Sequence, residues 1–122
     1  MPEKKKTLVL GASDNPSRYS NIAIHRLREK DHPVVAIGRS KTLVSDVPVS
    51  DSKISISDID TVTLYLNPSH QGQYYDYILS LKPRRIIFNP GAENPELYDL
   101  AKKEGIDPVN ACTLVMLSTN QY

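Results

Sequence analysis

Apolar residues cluster in short continuous runs along this chain, and between the runs they recur every three or four positions. Thr7–Leu10 is the first run, stopped by Gly11, and continuous runs of this kind suit strands covered on both faces. A helix follows, capped by Ser17 or Ser20 and extending to about Lys30. In it Ala23, Ile24 and Leu27 form an apolar stripe while Arg26, Arg28, Glu29 and Lys30 face water. Pro33 ends the helix, and Pro33–Gly38 reads as a second strand. Residues 39–60 carry several serines, Pro48 and little helical period, which predicts an irregular crossover with a short extended piece at Val47–Val49.

Thr61–Leu66 predicts a third strand, and Pro68-Ser69 opens a helix to Leu81 with Tyr74, Ile78 and Leu81 on one face. Pro83 closes it, and Arg85–Asn89 follows as a fourth strand. Beyond Pro90-Gly91, Asn94 as N-cap with Pro95 behind it starts a third helix that Gly105 stops. Ile106–Ala111 is a short fifth strand, and Thr113 caps a final turn at Leu114–Leu117. Such alternation builds a parallel sheet with helices on both faces and right-handed crossovers. The expected fold is therefore a single α/β, Rossmann-like domain over residues 1–122 with a sheet of about five strands. No repeat at a solenoid period is visible. Ligands in these sheets sit beyond the carboxyl ends of the strands, where the winding reverses. Candidate chemistry therefore falls on Gly11–Asn21, Gly38–Lys41, Asn67–His70, Asn89–Glu93 and Ala111–Thr113.

Composition narrows the partners. Fifteen Lys and Arg against fourteen Asp and Glu leave a net charge of +1, so no global basic field argues for nucleic acid, and any anion site must be local. The single cysteine, Cys112, excludes an intrachain disulfide and a cysteine-based zinc cluster and is compatible with a reducing cytosol. Lys4, Lys5 and Lys6 before Thr7–Leu10 mimic a signal peptide, but the apolar run is too short for export, and no window approaches the ~20 apolar residues a membrane span needs. A cytoplasmic protein with a small-molecule ligand and no membrane or nucleic-acid partner is expected; association of two copies is left open.

The first loop, Gly11–Asn21, leads from a buried strand into a helix whose free N–H groups and positive dipole end favour an anion, naturally a phosphate. Gly11 lets the backbone turn tightly and approach a ligand, Ser13, Ser17 and Ser20 offer hydroxyl donors, and Arg18 supplies a charge-assisted fork. The dinucleotide fingerprint is met only in part, because Ser13 and Pro16 stand at its later glycine positions. After the second strand, where NAD enzymes place an acid on the ribose, stands Arg39. Gly38-Arg39-Ser40-Lys41 instead suits a ribose carrying a phosphate, which disfavours NAD and leaves both NADP and coenzyme A.

Four stretches then resemble a known family: Val9–Arg18, Leu64–Pro68, Phe88–Ala92 and Gly105–Cys112, in that order. Together they resemble the small stand-alone CoA-binding proteins, which are themselves similar to the nucleotide-binding domain of the succinyl-CoA synthetase α subunit. The loop Gly11-Ala12-Ser13-Asp14-Asn15-Pro16 is the most specific element. The resemblance covers nearly the whole chain and implies a Rossmann-like fold that binds coenzyme A or an acyl-CoA. Its phosphates would lie near Gly11, Ala12, Ser13, Asn15, Arg18 and Ser20, its ribose phosphate near Gly38, Arg39 and Lys41, and its adenine near Asn67 and Pro68, with Gly91 at the fourth strand end. Two departures stand out: Asp31-His32 where the family has glycine, and Gly38-Arg39 where it often has Asn-Pro.

No catalytic constellation is visible. The synthetase reaction uses a phosphorylated histidine outside the nucleotide-binding domain. His70 reads as a surface or capping residue, Cys112 as a small buried one, and Asp14, Asp46 and Glu93 as isolated carboxylates. The expected role is a non-catalytic binding module. An NADP-dependent reductase lacks its substrate domain and a Ser-Tyr-Lys relay here. A nucleotide-binding subunit of a multi-chain acyl-CoA synthetase is the other alternative.

Overall fold

The computed structural model describes residues 4–122. Seven strands form one sheet: β1 (Thr7–Ala12), β2 (Val34–Gly38), β3 (Thr42–Val44), β4 (Val47–Ser50), β5 (Thr61–Leu64), β6 (Arg85–Phe88) and β7 (Asp107–Asn110). Their order is β3-β4-β2-β1-β5-β6-β7, and every neighbouring pair is parallel except the β3–β4 hairpin. Helices α1 (Tyr19–Glu29), α2 (Tyr75–Ser80), α3 (Pro95–Lys103) and α4 (Thr113–Ser118) complete a Rossmann-like domain. Among the described residues no helix is long and apolar enough to cross a membrane.

The continuous apolar runs are explained by their place at the middle of this sheet. Successive side chains of a strand point to opposite faces. Leu8 and Leu10 therefore enter one core with Val62, Leu64, Ile86, Phe88, Ile78 of α2 and Leu97 of α3, while Val9 enters a second with Ile24 and Leu27 of α1 and Leu117 of α4. Both faces of β1 and β5 are closed to water, which is why β1 runs apolar from Leu8 to Leu10 and the alternating threonines of β5, Thr61 and Thr63, are buried as fully as Val62 and Leu64.

The sheet has seven strands instead of the expected five because residues 42–50 form a two-strand hairpin where an irregular crossover was expected. Only the extended piece at Val47–Val49 was foreseen there. Val44, Val47 and Val49 point inward, while Leu43 on the edge strand remains 64% exposed, so the alternation is too brief to register as a pattern. Ser45 takes a left-handed φ of 56° at the tip, and Arg28 of α1 grips Asp46 beside it through two hydrogen bonds of 2.8 and 2.9 Å.

The helix expected from Pro68 to Leu81 is instead two 3₁₀ turns, Pro68–His70 and Gly72–Tyr74, followed by the short α2. Gln71 between the turns is fully buried, and its side-chain amide donates to Leu66 O at 2.9 Å and Ala92 O at 2.8 Å; satisfying that amide sets the path of the chain. Helix ends also differ. Arg18 is the N-cap residue of α1, so neither Ser17 nor Ser20 caps it, and Cys112 rather than Thr113 precedes α4. Asn94 does cap α3, accepting from Glu96 and Leu97 N–H, and Asp31 adopts a left-handed φ of 62° just after α1. Asp tolerates that conformation better than most residues.

Winding reverses at β1: the chain moves outward through β2 and β4, then returns to the other side of β1 as β5. The loops after β1 and β5 diverge there and leave a crevice.

Candidate functional site

A cleft of about 950 Å³ opens over the carboxyl ends of β1, β2, β4, β5 and β6. The β1–α1 loop forms one wall. Its conformation is set by its own polar side chains: Ser13 Oγ accepts from Asn15 N–H, Asn15 Oδ1 accepts from Ser17 N–H and from Ser17 Oγ–H, and Asn21 donates to Ser13 O at 3.0 Å. These bonds consume the loop's short side chains locally. Helix α1 nevertheless starts without a side-chain cap, and Arg18, Tyr19 and Ser20 at this start, the positive end of its dipole, line the cleft.

Two glycines position this wall, and both do so against protein rather than ligand. A Cβ on Gly11, whose φ is +96°, would stand 3.0 Å from the Tyr65 carbonyl carbon and 3.2 Å from Leu66 N. One on Gly38 would lie 2.3 Å from Ala12 O. The missing side chain at Gly11 thus gives room to the Tyr65–Leu66 peptide and lets the β1–α1 loop cross the end of β5.

The opposite wall, Tyr65 to Asn67 with His70, Gln73 and Tyr74, is tied down from below. Asn67 Oδ1 accepts from Ser69 N–H and Oγ–H, and Asn94 donates to Gln71 Oε1 at 3.0 Å and to Tyr75 Oη at 2.7 Å. Asn89 is buried, donating to Thr63 Oγ1 and Leu64 O and accepting from Thr113 N–H. Asn89 and Thr113 therefore staple the ends of β5, β6 and α4 together, and Glu93 accepts from Gly91 N–H. Burial pushes the Tyr65 phenol up to about 12, so it keeps its proton at neutral pH.

Of the residues expected from sequence, Gly11, Ala12, Ser13, Arg18, Ser20, Gly38, Arg39, Asn67 and Gly91 line this one cleft. Asn15, Lys41 and Pro68 are not among its lining: Asn15 organises the loop, Pro68 begins a 3₁₀ turn, and at Lys41 the chain is already turning into β3. Cys112 is half-buried outside it. The sequence reading missed Asp51, Gln73 and Tyr74 as lining residues and Gln71 and Asn94 as the groups that hold the wall. Asp51 was hidden because β4 was not resolved as a strand beside β2.

Two cations and two acids face the cleft: Arg18, Arg39, Asp14 and Asp51. Asp14 accepts from Thr42 Oγ1 at 3.3 Å, whereas Arg18, Arg39 and Asp51 make no side-chain hydrogen bond or ion pair among the described residues. An uncapped helix start and two disengaged guanidinium groups on different loops are an arrangement for an anion of more than one charge.

Residues 5–118 match the family model described as "CoA binding domain". No protein of curated function matches the sequence. Among solved structures, one described only as an uncharacterized protein shares 46% identity, with a TM-score of 0.96 over 99% of this chain and 100% of its own. A Thermus thermophilus protein shares 22% identity (TM-score 0.84, 98% of this chain and 91% of its own), and a hypothetical protein from Pyrococcus horikoshii 24% (TM-score 0.85, 95% and 83%). The latter two likenesses are of fold alone.

Proposed function

The chain belongs to the CoA binding domain family, and from that premise we propose that it holds coenzyme A or an acyl-CoA without transforming it. The observation that carries this reading is the uncapped start of α1, where Arg18, Tyr19 and Ser20 line a cleft that Arg39 also lines from the end of β2. Coenzyme A has the matching charge pattern, a diphosphate separated from a ribose phosphate. The diphosphate takes the α1 amides and Arg18, with Ser13 and Ser20 at its sides. The ribose phosphate takes Arg39, and the adenine lies toward Asn67. The cleft volume of about 950 Å³ falls at the upper end of ordinary ligand sites, which run from roughly 300 to 1,000 Å³.

A binding role rather than a reaction is supported by the state of the groups around the site. The Tyr65 phenol is held protonated, Asp14 is engaged by Thr42, and Glu93 is turned onto the Gly91 amide. None of these forms a base–nucleophile pair of the kind acyl transfer requires.

NADP also carries a diphosphate and a ribose phosphate, the latter on the 2′ instead of the 3′ oxygen, and is the direct competitor for the same cleft. Calorimetric titration with each separates them: coenzyme A is expected to bind and NADP to bind more weakly or not at all. Binding of NADP with no uptake of coenzyme A would reverse the assignment. Nucleoside diphosphate-linked acyl-CoA synthesis by the purified chain alone would defeat the binding-only reading.

A further inference from the structure

The register of the sheet places a carboxylate where the β2 end supplies none. Ile37 of β2 pairs with Ser50 of β4, so Asp51 follows its strand level with Gly38, next to Arg39. Both residues line the cleft, and neither is engaged by another side chain among the described residues. Asp14, the other acid in the lining, is already engaged, accepting from Thr42 Oγ1 at 3.3 Å.

An ionised carboxylate only accepts hydrogen bonds. A disengaged one beside a cation, in a cleft built for an anion, weakens phosphate binding by repulsion unless the ligand brings it a donor. On the adenosine end of coenzyme A the donors are the free 2′-hydroxyl and the adenine amine. The 2′-hydroxyl is on the carbon next to the 3′-phosphate, and Arg39 and Asp51 are offered by strands about 4.8 Å apart. The amine projects from the far edge of the base. We infer that Asp51 is a specificity-determining residue that accepts the ribose 2′-hydroxyl while Arg39 holds the neighbouring phosphate. It thus supplies from β4 the acid that dinucleotide-binding sheets usually carry after β2. This rests on the coenzyme reading above and goes beyond it by stating which sugar the site selects.

The test is calorimetric titration of wild type, Asp51→Ala and Asp51→Asn with coenzyme A, adenosine 3′,5′-bisphosphate and 2′-deoxyadenosine 3′,5′-bisphosphate. Asp51 is exposed, so both variants are expected to melt with the wild type. Wild type should prefer the ribose over the deoxyribose bisphosphate by about tenfold, the scale of one hydrogen bond to a charged group. In Asp51→Ala that preference should collapse toward unity while affinity for the deoxy ligand holds or rises. Asp51→Asn, which keeps an acceptor oxygen, should retain part of it. A preference unchanged in Asp51→Ala, no preference in wild type, or an equal loss for both bisphosphates, as a contact to the adenine amine would give, overturns the assignment while leaving coenzyme binding intact. Failure of wild type to take up coenzyme A overturns the coenzyme reading, and this inference falls with it.

Discussion

The two poles of the sheet are both rich in cations but use them in opposite ways. At the amino-end pole the charges serve the protein. Arg85 lies 4.4 Å over the Tyr122 ring and donates to Thr61 Oγ1 and to the Tyr122 main-chain oxygen, which also accepts from Lys5. The Lys5 amide donates to His32 Nδ1 at 2.9 Å, and the His32 and Tyr122 rings meet edge to face at 5.0 Å. At the carboxyl-end pole Arg18 and Arg39 have no such partners among the described residues, and the helix beside them is uncapped. Counting charges would not tell these regions apart. What distinguishes the ligand pole is whole guanidinium groups without a side-chain partner, whereas at the amino-end pole Arg85 is bonded through Nε and Nη1 and only its Nη2 is left over, and mutations at the two poles should separate binding from stability accordingly.

The largest effect is expected where the ligand pole depends on packing rather than on ligand. Gly11→Val forces a branched side chain onto a φ of +96° and against the Tyr65–Leu66 peptide. Combining the left-handed strain with overpacking gives a loss of about 3 kcal/mol, read as a lowered midpoint in thermal or urea unfolding without any ligand present. A Gly11→Val protein that melts with the wild type but fails to bind would restore a ligand-facing role for that glycine. Next in size are Arg18→Ala and Arg39→Ala, each expected to weaken coenzyme A binding by about 10- to 100-fold through one lost charged hydrogen bond, with unfolding unchanged. Both contacts are partly exposed, so wild-type affinity should also fall as salt rises, and more shallowly in each variant.

The poles also differed in how far they could be read from sequence. β1, β2 and β6 were legible because burial imposes continuous apolar runs, β5 because its Thr-Val-Thr-Leu is rich in β-branched residues, and the Asn94-Pro95 start and Gly105 stop of α3 follow from local backbone chemistry. The 42–50 hairpin was not, since three inward valines with an outward Leu43 give too little period to recognise. The break before α2 was invisible for a different reason. Tyr74, Ile78 and Leu81 do recur at helical spacing, but a buried Gln71 that must reach Leu66 and Ala92 is a tertiary demand that no local pattern records. In the cleft, Arg18 and Arg39 were legible because each follows directly on a recognisable strand and loop. Asp51 depends on which strand lies beside β2, a fact of topology rather than of spacing.

The mirror-image experiment at the amino-end pole is Arg85→Ala. It removes two hydrogen bonds and the cation over the Tyr122 ring, and should destabilise by about 2 kcal/mol while leaving coenzyme A affinity at the wild-type value. Loss of affinity without loss of stability would show that the poles are coupled and break the contrast drawn above.

The smallest effect is a pH dependence carried by His32. Burial, and after it the positive charges of Lys4, Lys5, Arg85 and Lys30, holds its imidazole below the ordinary histidine value. Its Nδ1 must also stay unprotonated to accept the Lys5 amide. In the unfolded chain the ring titrates near about 6.5, so below that pH the unfolded state binds more protons than the folded one, and acid favours unfolding. The stabilisation is complete above the unfolded value and is lost as pH falls through the lower folded one. Unfolding midpoints measured between pH 7.5 and about 5 should therefore decline toward acid in the wild type and decline less in His32→Gln, which has no proton to gain. Parallel curves for the two proteins would remove His32 from the pH response and leave the aromatic clasp as packing alone.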